Sequence, residues 1–365
     1  MIYCLSSNSN VIVSANAFNN IDKILQQYYN AVIIKVDKDS EQGSDIEKQT
    51  YVNSILADVK DGDVFVLQHP FWRCPSIEKM IIDRLHDMKN VYSVVFVHDV
   101  VEMMRWRSAE FIQSEINSFS PSDLIVLASE QLYRELSKCH DFEREGTQVE
   151  YYDIFDWPFD KKIRFDTETQ FNTNLSYAGN IEHVHSELIK IDKLHVDVYS
   201  RGGQIIKDVK ASLPANMDFR GFLGYDDISE SLHKNGGFGL VWVYDEMVKR
   251  YYQYNCPYKL TTYIIAELPV VCMNGTRHSE FVKQYNIGIC ADTILDAQDK
   301  ICSLSKAEYE SMVRNVKLVK DLMLKGYFTR KMFNKVLERI NVNHPVTIVS
   351  QTGELKSKLF DIIKK

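Results

Sequence analysis

The sequence has no apolar run that approaches the roughly 20 residues a membrane-spanning helix requires. Its first residues also lack the basic segment and apolar core that mark a secretory signal. The amino-terminal MIYCLSSNS instead has the pattern of a short buried strand followed by a polar turn. We therefore expect a globular protein of the cytoplasm.

Positive charge is in deficit, because 43 Lys and Arg residues stand against 50 Asp and Glu residues, which gives a formal net charge of −7. A nucleic-acid backbone is therefore not an expected partner. The seven cysteines form no C-x-x-C pair, and several lie inside apolar segments. This usage is typical of reduced, mostly buried thiols in a cytoplasmic protein.

The phosphate-binding motif G-x-x-x-x-G-K-[ST] is absent, which excludes a P-loop nucleotidase. Glycines do cluster in NGGFGLVW, at Gly236, Gly237 and Gly239, but they precede an apolar strand. A dinucleotide fingerprint must follow a strand and open a helix, so this order argues against a nicotinamide dehydrogenase. We interpret these glycines as a tight turn with close helix–strand packing.

Short runs rich in Val, Ile, Leu and Tyr alternate with stretches whose apolar residues are three and four apart. Near-continuous apolar strands between amphipathic helices are typical of a parallel sheet covered on both faces. The predicted strands are MIYCLS at the amino terminus, 31–36, 63–68, 92–98, 123–129, 174–180, 195–200, 238–244, 268–273 and 287–291.

These strands predict an α/β protein with two doubly wound, Rossmann-like domains facing each other across a cleft. A polar, helix-poor segment with a Trp-Pro pair marks a linker near residues 155–170. We place one domain at 1–157 and a second at 158–325, and we predict that helices in 326–365 pack back on the body. Such sheets bind ligands at the carboxyl ends of their strands.

The stretch SYAGNIEHVHSELI has the order strand, turn, helix. Gly179 permits close backbone approach, Asn180 can cap, and a helix from about Ile181 would offer free N–H groups to an anion. A plain strand–helix turn explains the stretch equally well. His183 and His185 form an H-x-H pair, but no third metal ligand accompanies them, so a solvated first turn is favoured.

Two D-x-D stretches, Asp37–Asp39 and Asp61–Asp63, resemble the metal–diphosphate motif of single-domain sugar transferases. The second lies in KDGDVF, which has the pattern of a turn ahead of a strand. The first lies in a polar loop. We predict no metal site at either.

His98-Asp99 ends the predicted strand YSVVFVH at its carboxyl end, where a catalytic pair is expected in this kind of sheet. Asp99 also fits the first position of a capping box with Glu102. Both interpretations of Asp99 stay open, since a capping residue remains at the end of the strand.

The stretch YYQYNCPYKLTTYIIAELPVV, from Tyr251 to Val271, places Pro257 and Lys259 in the first turn of an apolar helix. A lysine there opposes the helix dipole unless an anion lies between it and the free N–H groups. Neighbouring Asn and Tyr residues add hydrogen-bonding groups and ring faces. We favour an anion site over a surface loop whose lysine reaches water.

The residues in FVHDVVEMMR (96–105), SYAGNI (176–181), GGFGLVW (236–242) and YNCPYKLTTYIIAELPVV (254–271) carry a resemblance. In that order, the chain resembles bacterial GT-B glycosyltransferases related to the enzyme that adds the second sugar to streptococcal serine-rich-repeat glycoproteins. Proteins described as β-1,6-galactofuranosyltransferase-like share the pattern. The resemblance covers nearly the whole chain, and the segment around Lys259 is its most specific part.

The resemblance implies a nucleotide-sugar donor held mainly by the C-terminal domain, an acceptor held by the N-terminal domain, and a homo-oligomer. By motif, it assigns Asp99 to deprotonation of the acceptor hydroxyl. His98 remains a catalytic candidate because of its place at the strand end. The residues it assigns to the donor are Gly179, Asn180, Arg201, Tyr244, Asp245, Asn255, Tyr258 and Lys259.

Two departures from the family pattern concern the same helix. A glycine is usual before L-P-V, and here the residue is Glu267, which either alters the helix end or brings a carboxylate near the nucleotide. The paired glutamates of many retaining GT-B enzymes are missing, and Thr262 lies near the position of one of them. A simple transfer of the retaining mechanism is therefore not expected.

We therefore predict a glycosyltransferase that moves a hexose (glucose, galactose or galactofuranose) from a UDP-sugar to a hydroxyl of a saccharide, without a metal or other cofactor. The alternative from another class is a non-catalytic subunit that binds sugar nucleotides or glycans and supports a partner enzyme. A sugar-nucleotide epimerase is a third possibility. The basic C-terminal TGELKSKLFDIIKK offers a peripheral membrane contact, although packing on the protein is favoured.

Overall fold

The computed structural model describes residues 1–7, 15–71, 74–105, 107–158, 165, 169–201 and 213–340. The chain divides into two compact units. The N-terminal unit holds Met1–Pro158 together with the last described helix, and the C-terminal unit holds the described part of Phe159–Lys325. The predicted basic tail and much of the predicted linker lie outside the described residues.

The N-terminal unit is built on one six-stranded parallel sheet with the order β2-β1-β3-β4-β5-β6. The order reverses between β1 and β3, and that reversal sends successive crossovers to opposite faces of the sheet. The central strands β3 and β5 are buried along their whole length. Its strands are β1 (Ile2–Ser7), β2 (Val32–Val36), β3 (Val64–His69), β4 (Tyr92–Val97), β5 (Leu124–Leu127) and β6 (Gln148–Tyr151).

The helices of this unit follow its strands in turn. They are α1 (Ala15–Tyr29), α2 (Asp45–Ile55), α3 (Pro75–Asp87), α4 (Val101–Met104), α5 (Ala109–Ile116), α6 (Glu130–Leu136) and α7 (Phe142–Glu145), with a 3-10 helix at Lys38–Gln42. A capping box between Ser44 and Glu47 begins α2, and Pro75 is the first residue of α3, where its missing N–H leaves no bond unmade.

The C-terminal unit contains a second six-stranded parallel sheet, with the order β12-β11-β10-β7-β8-β9. Here the order reverses between β7 and β10, as in dinucleotide-binding folds. Its strands are β7 (Leu175–Ala178), β8 (Val196–Tyr199), β9 (Met217–Phe219), β10 (Phe238–Val241), β11 (Val270–Met273) and β12 (Gly288–Ala291).

The helices of the C-terminal unit are α8 (His185–Leu188), α9 (Tyr225–Asn235), α10 (Glu246–Tyr251), α11 (Lys259–Ile265), α12 (Arg277–Tyr285), α13 (Ile294–Ser303) and α14 (Lys306–Met323), with a 3-10 helix at Ile181–His183. The helix predicted to begin near Ile181 is a 3-10 turn followed by a four-residue α-helix. No described helix is both long enough and apolar enough to cross a bilayer.

The last described helix, α15 (Tyr327–Arg339), packs on the N-terminal unit. The buried carboxylate of Asp156 accepts hydrogen bonds from the backbone N–H groups of Phe328 and Thr329 at the start of α15. Near its end, Arg339 donates to the carboxylate of Glu150 across 2.9 Å. The predicted assignment of acceptor and donor binding to the two domains stays a prediction.

The glycines at the start of β10 have the packing role predicted for them: Gly236 and Gly237 precede the strand, and Gly239 lies within it. Gly236 and Gly237 have φ values of +67° and +74°, a backbone region that favours glycine, where α9 ends. A methyl group on Gly239 would lie 2.1 Å from Cγ of Tyr263, so the glycine lets α11 lie directly on the sheet. The tight turn with close helix–strand packing is therefore confirmed.

Candidate active site

The predicted donor residues of the C-terminal unit follow the carboxyl ends of neighbouring strands. Gly179 and Asn180 follow β7, Arg201 follows β8, and Tyr244 and Asp245 follow β10. Because all the strands are parallel, these residues lie along one edge of the sheet. The reversal between β7 and β10 falls among them, which is where sheets of this kind bind ligands.

Lys259 is brought to the same edge and lies against Gly179. A methyl group on Gly179 would lie 2.3 Å from Cε and 3.1 Å from Nζ of Lys259. The glycine therefore leaves the space through which the end of the lysine side chain passes. The end of the Lys259 side chain therefore lies beside the backbone that follows β7.

Two phenols and no carboxylate accompany the Lys259 ammonium, within the part of the chain that the structure describes. Tyr252 is hydrogen-bonded to it, and Tyr177 is close enough to act on its charge. Burial by itself lowers the pKa of Lys259, but the two phenol oxygens outweigh burial and the pKa is raised. Lys259 is half-buried and positively charged at neutral pH.

The hydroxyl groups of Tyr177 and Tyr263 form hydrogen bonds with the backbone around the ends of β7 and β10. Tyr177 donates its hydroxyl hydrogen to the carbonyl oxygen of Asn180 across 2.9 Å, so the oxygen is left as an acceptor on the lysine side. Tyr263 accepts from the N–H of Ala178 across 2.8 Å and donates to the carbonyl of Leu240 across 3.1 Å. Tyr263 therefore fixes the ends of β7 and β10 relative to α11.

A buried histidine that the sequence did not single out lies in the same environment. His278 is fully buried, and burial, together with the nearby Lys259 and Arg277, lowers its pKa to about 3, so the ring is neutral. Thr276 donates to the carbonyl of Met273 and so accepts from Nε2 of His278 across 3.2 Å. Nδ1 of His278 is a buried acceptor without a hydrogen-bond donor in the described structure.

Asn180, Tyr244, Asp245 and Arg201 have local partners at this edge. Asn180 is exposed and caps the 3-10 helix by accepting from the N–H of Glu182 across 3.1 Å. Asp245 caps α10 in the same way, while the Tyr244 side chain is 55% exposed. Arg201 is exposed and places its guanidinium 4.7 Å from the ring centre of Phe222.

The segment before α11 is more buried than its tyrosines suggested. Tyr251, Tyr252 and Tyr254 are at most 9% exposed, so their rings pack inside the unit. The buried Asn255 side chain donates to the hydroxyl of Tyr251 across 3.1 Å and accepts from the N–H of Cys256 across 2.8 Å. Tyr258 is half-buried and immediately precedes the first residue of α11.

Glu267 lies away from this cluster, at the end of α11. Its φ of +62° lies in the left-handed region of backbone conformation, which favours glycine. Its carboxylate accepts a hydrogen bond from Lys320 on α14 across 2.8 Å, and Lys317 is 3.6 Å away. Both alternatives for Glu267, an altered helix end and a carboxylate near the nucleotide, stay predictions.

In the N-terminal unit, Asp99 and His98 follow β4 as predicted, but in different environments. Asp99 is half-buried, whereas His98 is 3% exposed and stacks on Phe155 with ring centres 5.3 Å apart. Burial, with a smaller effect of His69, holds the pKa of His98 well below its usual value. His98 is a neutral core residue that donates from Nε2 to Oε1 of Gln68 across 3.0 Å.

The predicted capping box of Asp99 and Glu102 is wrong. The residue that precedes α4 is Val100, and its side chain makes no capping hydrogen bond to the helix. The carboxylate of Glu115, on α5, instead accepts from the N–H groups of Val101 and Glu102, both across 2.7 Å.

The two D-x-D stretches that resemble a metal–diphosphate motif form local hydrogen bonds in the structure. Asp37 caps the 3-10 helix by accepting from the N–H of Asp39 across 3.0 Å. Asp63 accepts from the N–H of Lys60 across 2.9 Å in the turn ahead of β3. A cluster with ligand spacing among the described residues is His195, Asp197 and Asp218, and there Arg220 pairs with both carboxylates.

Two family models match the chain, one for each unit. The Glucosyltransferase 3-like N-terminal domain matches residues 2–140, and the Glucosyltransferase 3-like C-terminal domain matches residues 175–336. The chain is 26% identical over 338 residues to Glucosyltransferase 3 of Streptococcus gordonii, covering 91% of this chain and 95% of the relative. It is 20% identical to Beta-1,6-galactofuranosyltransferase WbbI of Escherichia coli K12 over 79% of this chain and 83% of the relative.

Among solved structures, Anabaena HepE in complex with UDP matches with a TM-score of 0.62 at 10% identity, over 94% of this chain and 100% of HepE. That likeness shows the fold. The family predicted from the motifs is confirmed: the chain belongs to the glucosyltransferase 3-like family and is a glycosyltransferase with the GT-B fold.

Proposed function

We propose that the protein transfers a hexose from a UDP-sugar to a hydroxyl group of a saccharide acceptor, and that Lys259 binds the diphosphate of the donor. The observation that carries the proposal is the contact of the Lys259 ammonium with Gly179 at the edge of the sheet where ligands are expected. HepE, which shares the fold, was solved with UDP and with UDP-glucose. Both complexes support a uridine nucleotide as the donor.

Lys259 suits this role because its charge lacks a carboxylate partner among the described side chains. Lys320 offers the contrast within the same unit, since its buried ammonium is neutralised by Glu267. A departing UDP carries negative charge that must be stabilised in the transition state. A preorganised ammonium supplies that stabilisation, and we propose that the reaction requires no metal. We also assign Gly179, Asn180, Arg201, Tyr244, Asp245, Asn255 and Tyr258 to the donor site.

In the proposed reaction, the acceptor oxygen forms a bond to C1 of the hexose while the bond from C1 to the diphosphate oxygen breaks. The hydroxyl proton passes to the Asp99 carboxylate, and UDP leaves with the electron pair. We assign His98 to the catalytic site together with Asp99. In this assignment His98 is neutral and anchors the end of β4. Its burial supports a role in holding the strand end in place.

Release of UDP from UDP-glucose, UDP-galactose and UDP-galactofuranose tests the proposal, with and without saccharide acceptors and in the presence of EDTA. We expect acceptor-dependent UDP release from one of these donors, unchanged by EDTA. A protein that binds UDP but releases none with any donor and acceptor would favour the non-catalytic subunit. Loss of activity in EDTA, restored by a divalent cation, would contradict the metal-independent reaction.

We further expect a homo-oligomer in the cytoplasm. The basic C-terminal segment TGELKSKLFDIIKK offers a peripheral membrane contact, although packing on the protein or on another subunit is favoured. Sedimentation of the full chain gives the oligomeric state. Flotation with anionic liposomes, with and without the tail, tests the membrane contact.

A further inference from the structure

The turn between β4 and α4, which carries Asp99, is held by groups that the proposed reaction does not use. On the strand side, the N–H of His98 donates to the carbonyl oxygen of His69 across 2.9 Å. On the helix side, the Glu115 carboxylate accepts from the first two N–H groups of α4. Asp99 therefore lies between two fixed points.

The group that holds the start of α4 is the buried carboxylate of Glu115, which lies on the following helix, α5. The Glu115 side chain is 9% exposed, and both of its oxygens are used by the backbone of α4. Hydrogen bonds from backbone N–H groups to a carboxylate are charge-assisted and roughly twice as strong as neutral ones. Displacing this carboxylate would leave two N–H groups without their acceptor, which destabilises the turn.

His69 connects the two fixed points. Its Nε2 donates to Oε1 of Glu115 across 3.4 Å, and its Nδ1 donates to Glu78 across 2.8 Å. Burial by itself lowers the pKa of His69, but the carboxylates of Glu78 and Glu115 raise it to about 9. The ring is therefore a cation that orients the Glu115 carboxylate. The backbone carbonyl of the same residue accepts the hydrogen bond from the N–H of His98, directly after β4.

We propose that Glu115 and His69 are positioning residues of the transfer reaction, which fix the β4–α4 turn and thereby the place of the Asp99 carboxylate. This inference rests on the proposed function, since it takes Asp99 as the base. Neither residue touches the acceptor in this scheme. A displacement of the order of 1 Å in a reacting group can cost about a hundredfold in rate, so loosening the turn is expected to affect turnover.

The test compares Glu115→Gln and His69→Gln with the exposed control Glu110→Gln, which lies on the same helix α5. Turnover is expressed per folded molecule, with the folded fraction of each variant taken from its unfolding curve in urea. We expect kcat to fall ten- to a hundredfold in Glu115→Gln and three- to tenfold in His69→Gln. The donor KM and the Kd for UDP should change less than twofold, and Glu110→Gln should behave as wild type.

A second measurement separates positioning from a structural role. Each substitution is repeated in an Asp99→Asn background, where a residue that acts through Asp99 has little left to disturb. We expect Glu115→Gln to lower kcat less than threefold there. Two outcomes overturn this inference and leave the proposed function standing. One is an equal loss of kcat in both backgrounds. The other is wild-type kcat in folded Glu115→Gln and His69→Gln, with a strong loss in Asp99→Asn. Wild-type kcat in Asp99→Asn overturns the base assignment itself.

Discussion

The end of the Lys259 side chain fills the space that a side chain on Gly179 would need, with Cε only 2.3 Å from the position of a methyl group there. The place of the ammonium therefore depends on the glycine as well as on the helix that carries the lysine. Two predictions separate the charge of Lys259 from its position.

Replacing Lys259 with methionine should abolish most turnover and leave the fold intact. The expected loss in kcat/KM is about a hundredfold, because one preorganised group at the departing diphosphate is removed. Stability should be unchanged or slightly higher, since a half-buried ammonium that has no carboxylate partner in the described structure gives way to an apolar chain of similar length. UDP release and thermal melting measure the two effects.

Lys234→Met is the matched control for this prediction. Lys234 is exposed in the last turn of α9, ahead of β10, and so lies toward the opposite edge of the sheet. It should leave both kcat/KM and UDP affinity at wild-type values. Near-normal kinetics in Lys259→Met would remove the donor-site assignment.

Gly179→Ala should weaken UDP binding without removing any polar group. The added methyl group must push the flexible end of Lys259 aside, which moves the ammonium while the charge remains. We expect about a tenfold rise in the Kd for UDP, measured by calorimetry. In a Lys259→Met background the same alanine should have little effect, because the displaced group is already absent. Equal losses in both backgrounds would mean that Gly179 acts independently of the lysine.

Asp99→Asn should lower kcat about a hundredfold and leave the Kd for UDP within twofold of wild type, because an amide cannot accept the proton of the acceptor hydroxyl. The alternative that Asp99 caps α4 predicts lower stability instead, and the structure gives that task to Glu115. Single-turnover kinetics with saturating donor measures the chemical step. Weaker UDP binding with normal turnover would assign Asp99 to another role.

Most of the fold could be predicted because the central strands are continuous apolar runs. The two strands that the sequence did not indicate, Gln148–Tyr151 and Met217–Phe219, are edge strands, the first with a polar sequence and the second with only three residues. An edge strand is paired on one side and buried less completely, so its sequence keeps weaker apolar character. The pattern that marks buried strands is therefore absent there.

The candidate site was predictable where one short segment carries both the group and its placement, as in Lys259 at the start of a helix. It was not predictable where placement comes from distant parts of the chain. Tyr177 acts on the charge of Lys259, and Lys259 in turn lowers the pKa of His278. Glu115 caps α4. No local spacing in the sequence encodes these contacts. The ends of parallel strands were the available signal, since Tyr177 lies in β7 and His278 follows β11.

Glu267 should be retained for its pairing with Lys320 even though its backbone conformation favours glycine. Glu267→Gly relieves a left-handed conformation that costs about 1 kcal/mol, but it leaves a buried ammonium without its closest carboxylate. We expect a net destabilisation of about 2 kcal/mol in urea unfolding. Glu267→Gly combined with Lys320→Met should recover the loss, and a stabilised single variant would contradict this account.

The charged His69 should make the stability of the N-terminal unit fall at alkaline pH. Its pKa is about 9 in the folded protein against 6.5 for an unperturbed histidine. A folded-state pKa above the unfolded value means that the stabilisation is complete below pH 6.5 and is lost as pH rises through about 9. The expected slope is about 1.4 kcal/mol per pH unit within this window.

His69→Gln is the control that isolates this slope, because glutamine does not titrate. Burial raises the pKa of Asp156 to about 7, so its titration also changes the stability, but this change is complete by about pH 8. Unfolding in urea is therefore measured between pH 8 and 9, where Asp156 adds no pH dependence. The difference in unfolding free energy between wild type and His69→Gln should shrink by about 1 kcal/mol over that interval. A constant difference would mean that His69 is neutral in the folded protein and that the carboxylates of Glu78 and Glu115 are held by other groups.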